Sequence, residues 1–290
     1  MENEQQTSLG EFPTQSPTIS TIRTGVAQSL DWSRASPRLY FVDDNDPLAL
    51  SGLVGRRTRI TVEDERFCTN CGKPAEWSPC SECQGTPPMA ECVYNPGVSC
   101  TYQNCPYPEF KQESCAHDFV VYLVVKDRVK VGITRAGRRT KRWKGQGATH
   151  ALVLARAPNR KLAGVIETCC ASHLDDSATS DWFSPLPEPE ANLLDAAAVC
   201  RDALPSRIRT CLCAPEETDA EREARIIELD YPERNPDNTD FTKVDSFSEP
   251  GEREGRLCAV RGSVLATDTF TFNVRTHAGR HITIATERWT

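Results

Sequence analysis

The sequence has no apolar run that approaches the ~20 residues a membrane-spanning helix needs. The first 24 residues are polar and contain no apolar core, which is not the pattern of a secretory signal. Without such a signal we expect a cytoplasmic protein that makes no membrane contact and keeps its thiols reduced. Hydrophobic residues make up only 38% of the chain and there are 20 prolines, which predicts long loops and small cores.

Shifts in composition divide the chain into six parts. The predicted parts are a disordered tail at 1–36, N-terminal β-strands at 37–67, a cysteine-rich zinc segment at 68–117, an α/β domain at 118–186, a helical linker at 187–221 and C-terminal β-strands at 222–290. We therefore expect an α+β fold. The first and last groups of strands would form one small barrel or sandwich, with the zinc and α/β parts inserted in it.

Periodicity is clearest in the α/β domain. The apolar run at 119–125 predicts a strand buried on both faces, and residues 129–133 predict its hairpin partner. The predicted order continues with a basic helix to about 146, a strand at 151–155 and a helix from its cap Asn159 to about 174.

The 14 cysteines are unevenly spread. In a reducing compartment, clustered cysteines indicate metal binding rather than disulfides. Two Cys-x2-Cys pairs, Cys68 with Cys71 and Cys80 with Cys83, have the spacing of a zinc ribbon or knuckle that holds one structural zinc. Cys92, Cys100, Cys105 and Cys115 are candidates for a second zinc, with His117 as an alternative ligand. Packing as small apolar residues and an iron–sulfur site remain alternatives for these four.

Charge is concentrated in one stretch. Residues 118–167 contain twelve basic and three acidic residues, a net charge of +9, while the rest of the chain carries −16. Such a basic island favours phosphate, and hence nucleic acid, as a partner, and a solvated basic face is the plainer alternative. The candidate nucleic-acid contacts are Arg135, Arg138, Arg139, Lys141, Trp143 and Lys144. Trp143 could stack on a base or anchor the core.

Short motifs in this stretch resemble those of the GIY-YIG nuclease family over about residues 119–175. Val120-Val-Tyr122 stands where the motif Gly-Ile-Tyr would be, and Lys130-Val-Gly132 stands where Tyr-Ile-Gly would be. Arg142 matches the arginine that follows in that family, and Glu167 matches its metal-binding, helix-borne glutamate. Lys130 replaces the second motif tyrosine.

The pattern also resembles an uncharacterised prokaryotic domain-of-unknown-function family, over most of residues 40–290. In that family a multi-cysteine segment precedes the same kind of motifs. The matching residues here are Val121-Tyr-Leu123, residues 130–134, Arg142-Trp143, Gln146-Gly-Ala148 and Glu167.

The nuclease resemblance implies four catalytic residues. Tyr122 would orient or deprotonate the attacking water, Arg142 would clamp a phosphate oxygen, and Glu167 would hold one Mg²⁺ or Mn²⁺. Lys130 would bind phosphate or act as a base, or it would mark a site that binds without cleaving.

The sequence thus predicts a zinc-containing, GIY-YIG-like protein that acts on nucleic acid, with DNA favoured over RNA. A divalent-metal-dependent endonuclease is the first hypothesis. The alternatives are a non-catalytic, zinc-stabilised module that binds nucleic acid and a module that binds another protein. The pattern gives no oligomeric state.

Overall fold

A computed structural model describes residues 18–34, 36–84, 87, 90–174, 182–184, 186–213, 225–234 and 239–288. Its strands are β1 Thr18–Asp31, β2 Arg38–Phe41, β3 Leu48–Ala49, β4 Arg57–Arg66, β5 Phe119–Val125, β6 Val129–Arg135, β7 His150–Ala157, β8 Ile227–Glu228, β9 Asp245–Ser246, β10 Gly251–Arg261, β11 Val264–Thr267, β12 Phe270–Asn273 and β13 Arg280–Arg288. Its helices are α1 Glu91–Tyr94, α2 Pro96–Ser99, α3 Pro108–Phe110, α4 Arg139–Gly145, α5 Arg160–Ala171, α6 Pro189–Ala203 and α7 Ser206–Arg209. The mixture of sheets and helices confirms the predicted α+β class.

The N- and C-terminal strands share one nine-stranded sheet in the order β3-β2-β1-β13-β4-β10-β11-β12-β9. Adjacent strands lie about 4.8 Å apart, so a flat sheet would hold β2 far from β12. Leu39 on β2 and Phe272 on β12 nevertheless belong to one buried cluster, so the sheet curls around its own core. The order ends at β3 and β9 without closing, which corrects the expectation of a barrel.

Part of the expected disordered tail is a strand. Residues 18–31 form β1, which pairs with β13 from Thr18 opposite Arg288 onward. Gly25 and a register shift between Thr21 and Arg23 interrupt the alternation of inward and outward side chains along β1. The sequence of β1 therefore lacks the period-two pattern that would predict a strand. The remainder of the tail, at 1–17, lies outside the described residues.

The α/β unit is inserted between β4 and β10 and has its own antiparallel sheet, in the order β6-β5-β7-β8. All seven residues of the central strand β5 are buried, as its apolar run predicts. Helices α5 and α6 pack on one face of this sheet, and α4 lies on the other. The side chain of Asn159 caps α5 by accepting a hydrogen bond from the Leu162 N–H at 2.9 Å.

The cysteine-rich segment lies between β4 and β5 and contains α1, α2 and α3 together with short turns. Helix α2 packs directly on α5. No helix among the described residues is long and apolar enough to span a membrane.

Candidate metal centre and basic cleft

The first four cysteines meet at one point just beyond the end of β4. The Sγ atoms of Cys68, Cys71, Cys80 and Cys83 all lie within 4.8 Å of one another. Gly72 has a φ of +69°, which turns the chain sharply after Cys71. Four thiolates at this separation are the donor set of a closed, structural tetrahedral zinc site, so the segment can bind a metal ion as its spacing predicts.

Backbone amides support this cluster. The N–H groups of Cys80 and Asn70 point at the Cys68 sulfur, at 3.3 and 3.4 Å. Against the opposing effect of burial, these amides lower the pKa of the Cys68 thiol to about 6. A thiolate is the form that ligates metal, so the turns favour the binding state.

The second set of cysteines is more widely spaced than the first. Cys92, Cys100, Cys105 and Cys115 are close enough that burial and the three neighbouring thiols raise the pKa of Cys115, partly offset by the charge of Arg160. Within the described part of the chain, however, only the first four cysteines form a group within 4.8 Å. The Nε2 of His117 forms a hydrogen bond with the Glu113 carbonyl oxygen at 2.9 Å. A second zinc therefore stays a prediction.

Tyr122 lies in the middle of β5, directly opposite Gly132 on the edge strand β6. Its ring covers that glycine so closely that a Cβ there would lie 2.7 Å from the hydroxyl oxygen. The hydroxyl donates to Oε1 of Gln146 at 2.9 Å. Gly132 therefore makes room for a side chain on the neighbouring strand.

The phenol of Tyr122 is fully buried. Burial raises its pKa, and the nearby charge of Arg142 opposes the rise only in part. At neutral pH the group is thus a protonated phenol, which can donate a hydrogen bond but is a poor base. This environment does not suit a base, which is one of the two roles expected for Tyr122.

Glu167 approaches the same sheet edge from α5. Its carboxylate accepts a hydrogen bond from the backbone N–H of Ile133 on β6. Burial raises the pKa of Glu167 to about 7, although Arg160, Arg142 and that hydrogen bond all lower it. A carboxyl group that titrates near neutrality beside several cations has the chemistry of a proton acceptor or a metal ligand.

A cleft of about 450 Å³ opens over this carboxylate. Its cationic lining is Arg135, Arg138, Arg142 and Arg160. Burial and the positive charges of Arg138 and Arg160 lower the pKa of Arg135, and Cys115 and Glu113 oppose this shift. The cleft is therefore suited to an anion such as a phosphodiester, and the cysteine-rich segment supplies part of its wall through Val93, Tyr94 and Pro96.

Lys130 does not join this cleft. It lines an adjoining depression of about 480 Å³ that shares Glu167 and Tyr94 with the cleft. The sheet edge thus brings Tyr122, Arg142 and Glu167 together and leaves Lys130 to one side.

The basic residues of the island divide between two surfaces. Arg135 lies in the cleft, Arg138 reaches both surfaces, and Arg139, Lys141 and Lys144 line a separate groove of about 670 Å³. Trp143 is fully buried and packs edge-on against Tyr122, with ring centroids 5.8 Å apart. Its indole is a core anchor and has no exposed face on which a base could stack.

The small residues of α5 have two different surroundings. Ala171 lines the depression beside Glu167. Gly164 is instead covered by Gly97 of α2, where a Cβ would lie 2.3 Å from the Gly164 carbonyl oxygen. These two glycines let α2 pack on α5.

Sequence reasoning missed two residues of the cleft. Arg160 precedes Glu167 by seven positions on α5, a spacing that places both on one helix face and was a usable signal. Tyr94 belongs to the non-periodic cysteine-rich segment, and nothing in the sequence relates it to Glu167.

Comparison with known proteins adds one finding. A family model described as a protein of unknown function (DUF2797) matches residues 55–282, which contain both cysteine sets and the whole α/β unit. No curated protein and no solved structure matches the chain.

Proposed function

Since the chain belongs to the DUF2797 family, whose description gives no function, we propose one from its geometry: a zinc-stabilised, divalent-metal-dependent nuclease. The observation that carries the proposal is that Arg142 and Glu167 line one cleft with three further arginines, and that Tyr122 is buried beside Arg142. DNA is the favoured substrate, with RNA as the other nucleic acid to test.

Each residue has a role in phosphodiester hydrolysis. The arginines neutralise the phosphate, and Arg142 can form two parallel hydrogen bonds to its oxygens. Glu167 would hold one Mg²⁺ or Mn²⁺, a cation that activates water and relieves charge on the leaving oxygen. The buried Tyr122 hydroxyl, held by Gln146 and lying beside Arg142, would position that arginine.

The order of elements also supports a GIY-YIG-like arrangement. The hairpin β5–β6, the basic helix α4, the strand β7 and the glutamate-bearing helix α5 follow one another as in the resemblance. Tyr122 stands on the central strand and Gly132 beside it on the edge strand.

The alternative is a module that binds nucleic acid without cleaving it. Lys130 favours this alternative, because it replaces a motif tyrosine and lies outside the cleft that Arg142 and Glu167 line. A protein-interaction module is a further alternative, in which nucleic-acid binding would be weak and would vanish at physiological salt.

Cleavage assays separate these functions. Labelled branched, single-stranded and duplex DNA and RNA would be incubated with Mg²⁺ or Mn²⁺ and with wild type, Glu167→Ala or the control Glu228→Ala, whose carboxylate is exposed on β8. We expect cleavage by wild type and the control, and a loss of at least about 100-fold in Glu167→Ala. Absence of wild-type cleavage on every substrate, with binding retained, would replace the nuclease by the binding module.

The proposed zinc is structural, and its removal tests it. Chelation should release at least one zinc per chain and unfold the segment around Cys68–Cys83, because a small segment without a core depends on its metal. Metal analysis with limited proteolysis would report both effects. Cys68→Ser should behave like the chelated protein, and Cys258→Ser, buried in the large sheet, should keep its zinc. An unchanged proteolysis pattern after complete metal removal would contradict a structural role.

A further inference from the structure

The basic groove beside α4 is completed by a residue from outside the basic island. One wall of the 670 Å³ groove comes from residues 136–144, and the other comes from the end of β1 through Trp32, Ser33 and Arg34. Arg34 is exposed and lies about 100 positions before the island in the sequence, so composition alone did not connect them. The fold thus adds a fifth basic side chain to Arg138, Arg139, Lys141 and Lys144.

The groove is built before any ligand binds. The Trp32 indole N–H donates to the Gly262 carbonyl at 2.7 Å, which fixes the β1 wall to the large sheet. Lys141 forms an ion pair with Asp31, which ties α4 to the same wall. The Lys144 ammonium lies 5.9 Å from the ring centroids of both Trp32 and Tyr231, which positions its charge.

Groove and cleft adjoin at Arg138, which lines both. A single phosphate group would need the cleft alone. A basic track that runs from the cleft along a second wall matches a polyanion whose charges repeat along a chain.

We propose that this groove binds the phosphodiester backbone of the nucleic-acid strand that flanks the bond in the cleft. The inference rests on the proposed function for the identity of its ligand, and it adds that the substrate extends beyond the cleft on the side of Arg138. The groove contacts backbone phosphates through charge, so its binding is independent of base sequence.

The test compares two double variants in binding alone. Arg34→Gln with Arg139→Gln removes exposed charge from opposite walls of the groove. The control, Arg207→Gln with Arg275→Gln, removes two exposed arginines that line neither groove nor cleft, so the net charge of the chain changes equally. Binding of a fluorescent 20-nucleotide single-stranded DNA would be followed by anisotropy over a salt series without added Mg²⁺ or Mn²⁺.

We expect the groove variant to bind at least about tenfold more weakly at low salt. Its slope of log affinity against log salt should fall by about 1.4, because each phosphate contact on a single strand contributes about 0.7. The control should match wild type. A dinucleotide, too short to leave the cleft, should bind all three proteins equally.

Affinity and slope equal to wild type in the groove variant would overturn the inference. Tighter binding of polyglutamate than of DNA, lost in the same variant, would overturn it in favour of an acidic protein partner. The binding test and the cleavage test can fail independently. DNA binding that depends on the groove, without cleavage, would support the groove and contradict the nuclease. Cleavage by a protein whose DNA binding does not depend on the groove would support the nuclease and contradict the groove.

Discussion

At the scale of single residues, the chemistry of the cleft depends on how Glu167 is held. Its carboxylate has cations nearby, yet burial dominates and raises its pKa to about 7. The folded protein therefore binds a proton on the Glu167 carboxyl more tightly than the unfolded chain does, because the unfolded glutamate has a pKa near 4.5. The contribution of Glu167 to the free energy of unfolding is fully present below about pH 4.5 and is lost as the pH rises through about 7.

Glu167→Gln is therefore expected to change the pH dependence of stability. Without Mg²⁺ or Mn²⁺, the variant should match wild type near pH 4.5 and be more stable by roughly 1–3 kcal/mol at pH 8, because glutamine carries no buried charge. Urea unfolding across this range measures the difference. Glu228→Gln, an exposed control, should change little at any pH, and a Glu167→Gln curve parallel to wild type would contradict the raised pKa.

Short motifs predicted Tyr122, Arg142 and Glu167 from residue identity, and the three lie close enough to interact electrostatically. Their catalytic roles stay predictions. The environment of each could not be predicted, since full burial of Tyr122 and Trp143 depends on how α4 packs against the sheet. The location of Lys130 could not be predicted either, because its position in the motif does not determine on which side of Glu167 it lies.

At the scale of elements, the crossing of α2 over α5 connects the cysteine-rich segment to the cleft. Gly97 and Gly164 meet at this crossing, and Lys161 donates to the Gly97 carbonyl at 2.9 Å. Helix α5 carries Glu167, so the segment that holds Tyr94 and Pro96 is positioned by the same helix as the carboxylate. The four-residue α2 has no periodic pattern and is stable only through this packing, which is why the sequence did not predict it.

Gly97→Ala should separate these elements. The added Cβ would lie 2.3 Å from both the Gly164 carbonyl oxygen and Thr168 Oγ1, and such overpacking costs about 1–3 kcal/mol. Limited proteolysis should cut the segment around 92–115 faster, and denaturant unfolding should give the free-energy loss. Gly52→Ala, where a new Cβ meets nothing within 4 Å, is the matched control. Equal stability and proteolysis in both variants would show that the crossing is not tight.

Local patterns predicted the elements of the α/β unit well. The hairpin β5–β6, the strand β7 and the capped helix α5 follow the predicted order because each carries its own periodicity or cap. Strand β8 lies within the stretch 222–290 predicted to hold the C-terminal strands, yet it pairs with β7 in the sheet of the α/β unit. Strand pairing at long range, such as β1 with β13, has no local signal.

At the scale of the whole molecule, Trp182 joins the two sheets. Its ring lies against Gly147 beyond α4 and against Gly262 in the β10–β11 turn, where an added Cβ would come within 2.6 and 2.0 Å. Tyr231 adds a hydrogen bond from its hydroxyl to the Ala148 carbonyl at 2.6 Å, and Arg261 donates to the Gly147 carbonyl at 3.0 Å. These contacts hold the groove wall from β1 beside α4.

Gly262→Ala should weaken this junction. The residue has a φ of +59° and no space for a side chain, so we expect a loss of about 2–4 kcal/mol from strain and displacement of Trp182. Gly251→Ala is the control, because Gly251 also has a positive φ but open space around it, and it should report backbone strain alone. Thermal unfolding with tryptophan fluorescence measures both, and equal losses would contradict a role for Trp182 in the junction.

The insertion of the α/β unit into the large sheet has a consequence for how the protein reaches its native state on the ribosome. Strand β1 pairs with β13 and β4 pairs with β10, so the large sheet cannot assemble until the last strands have been synthesised. The β5–β6 hairpin and β7 are close in sequence, and contacts of low sequence separation form fastest. The nascent chain is thus expected to complete its α/β unit while β4 and one edge of β1 still lack their partner strands. These unpaired strand edges are expected to be the aggregation-prone stage of biosynthesis.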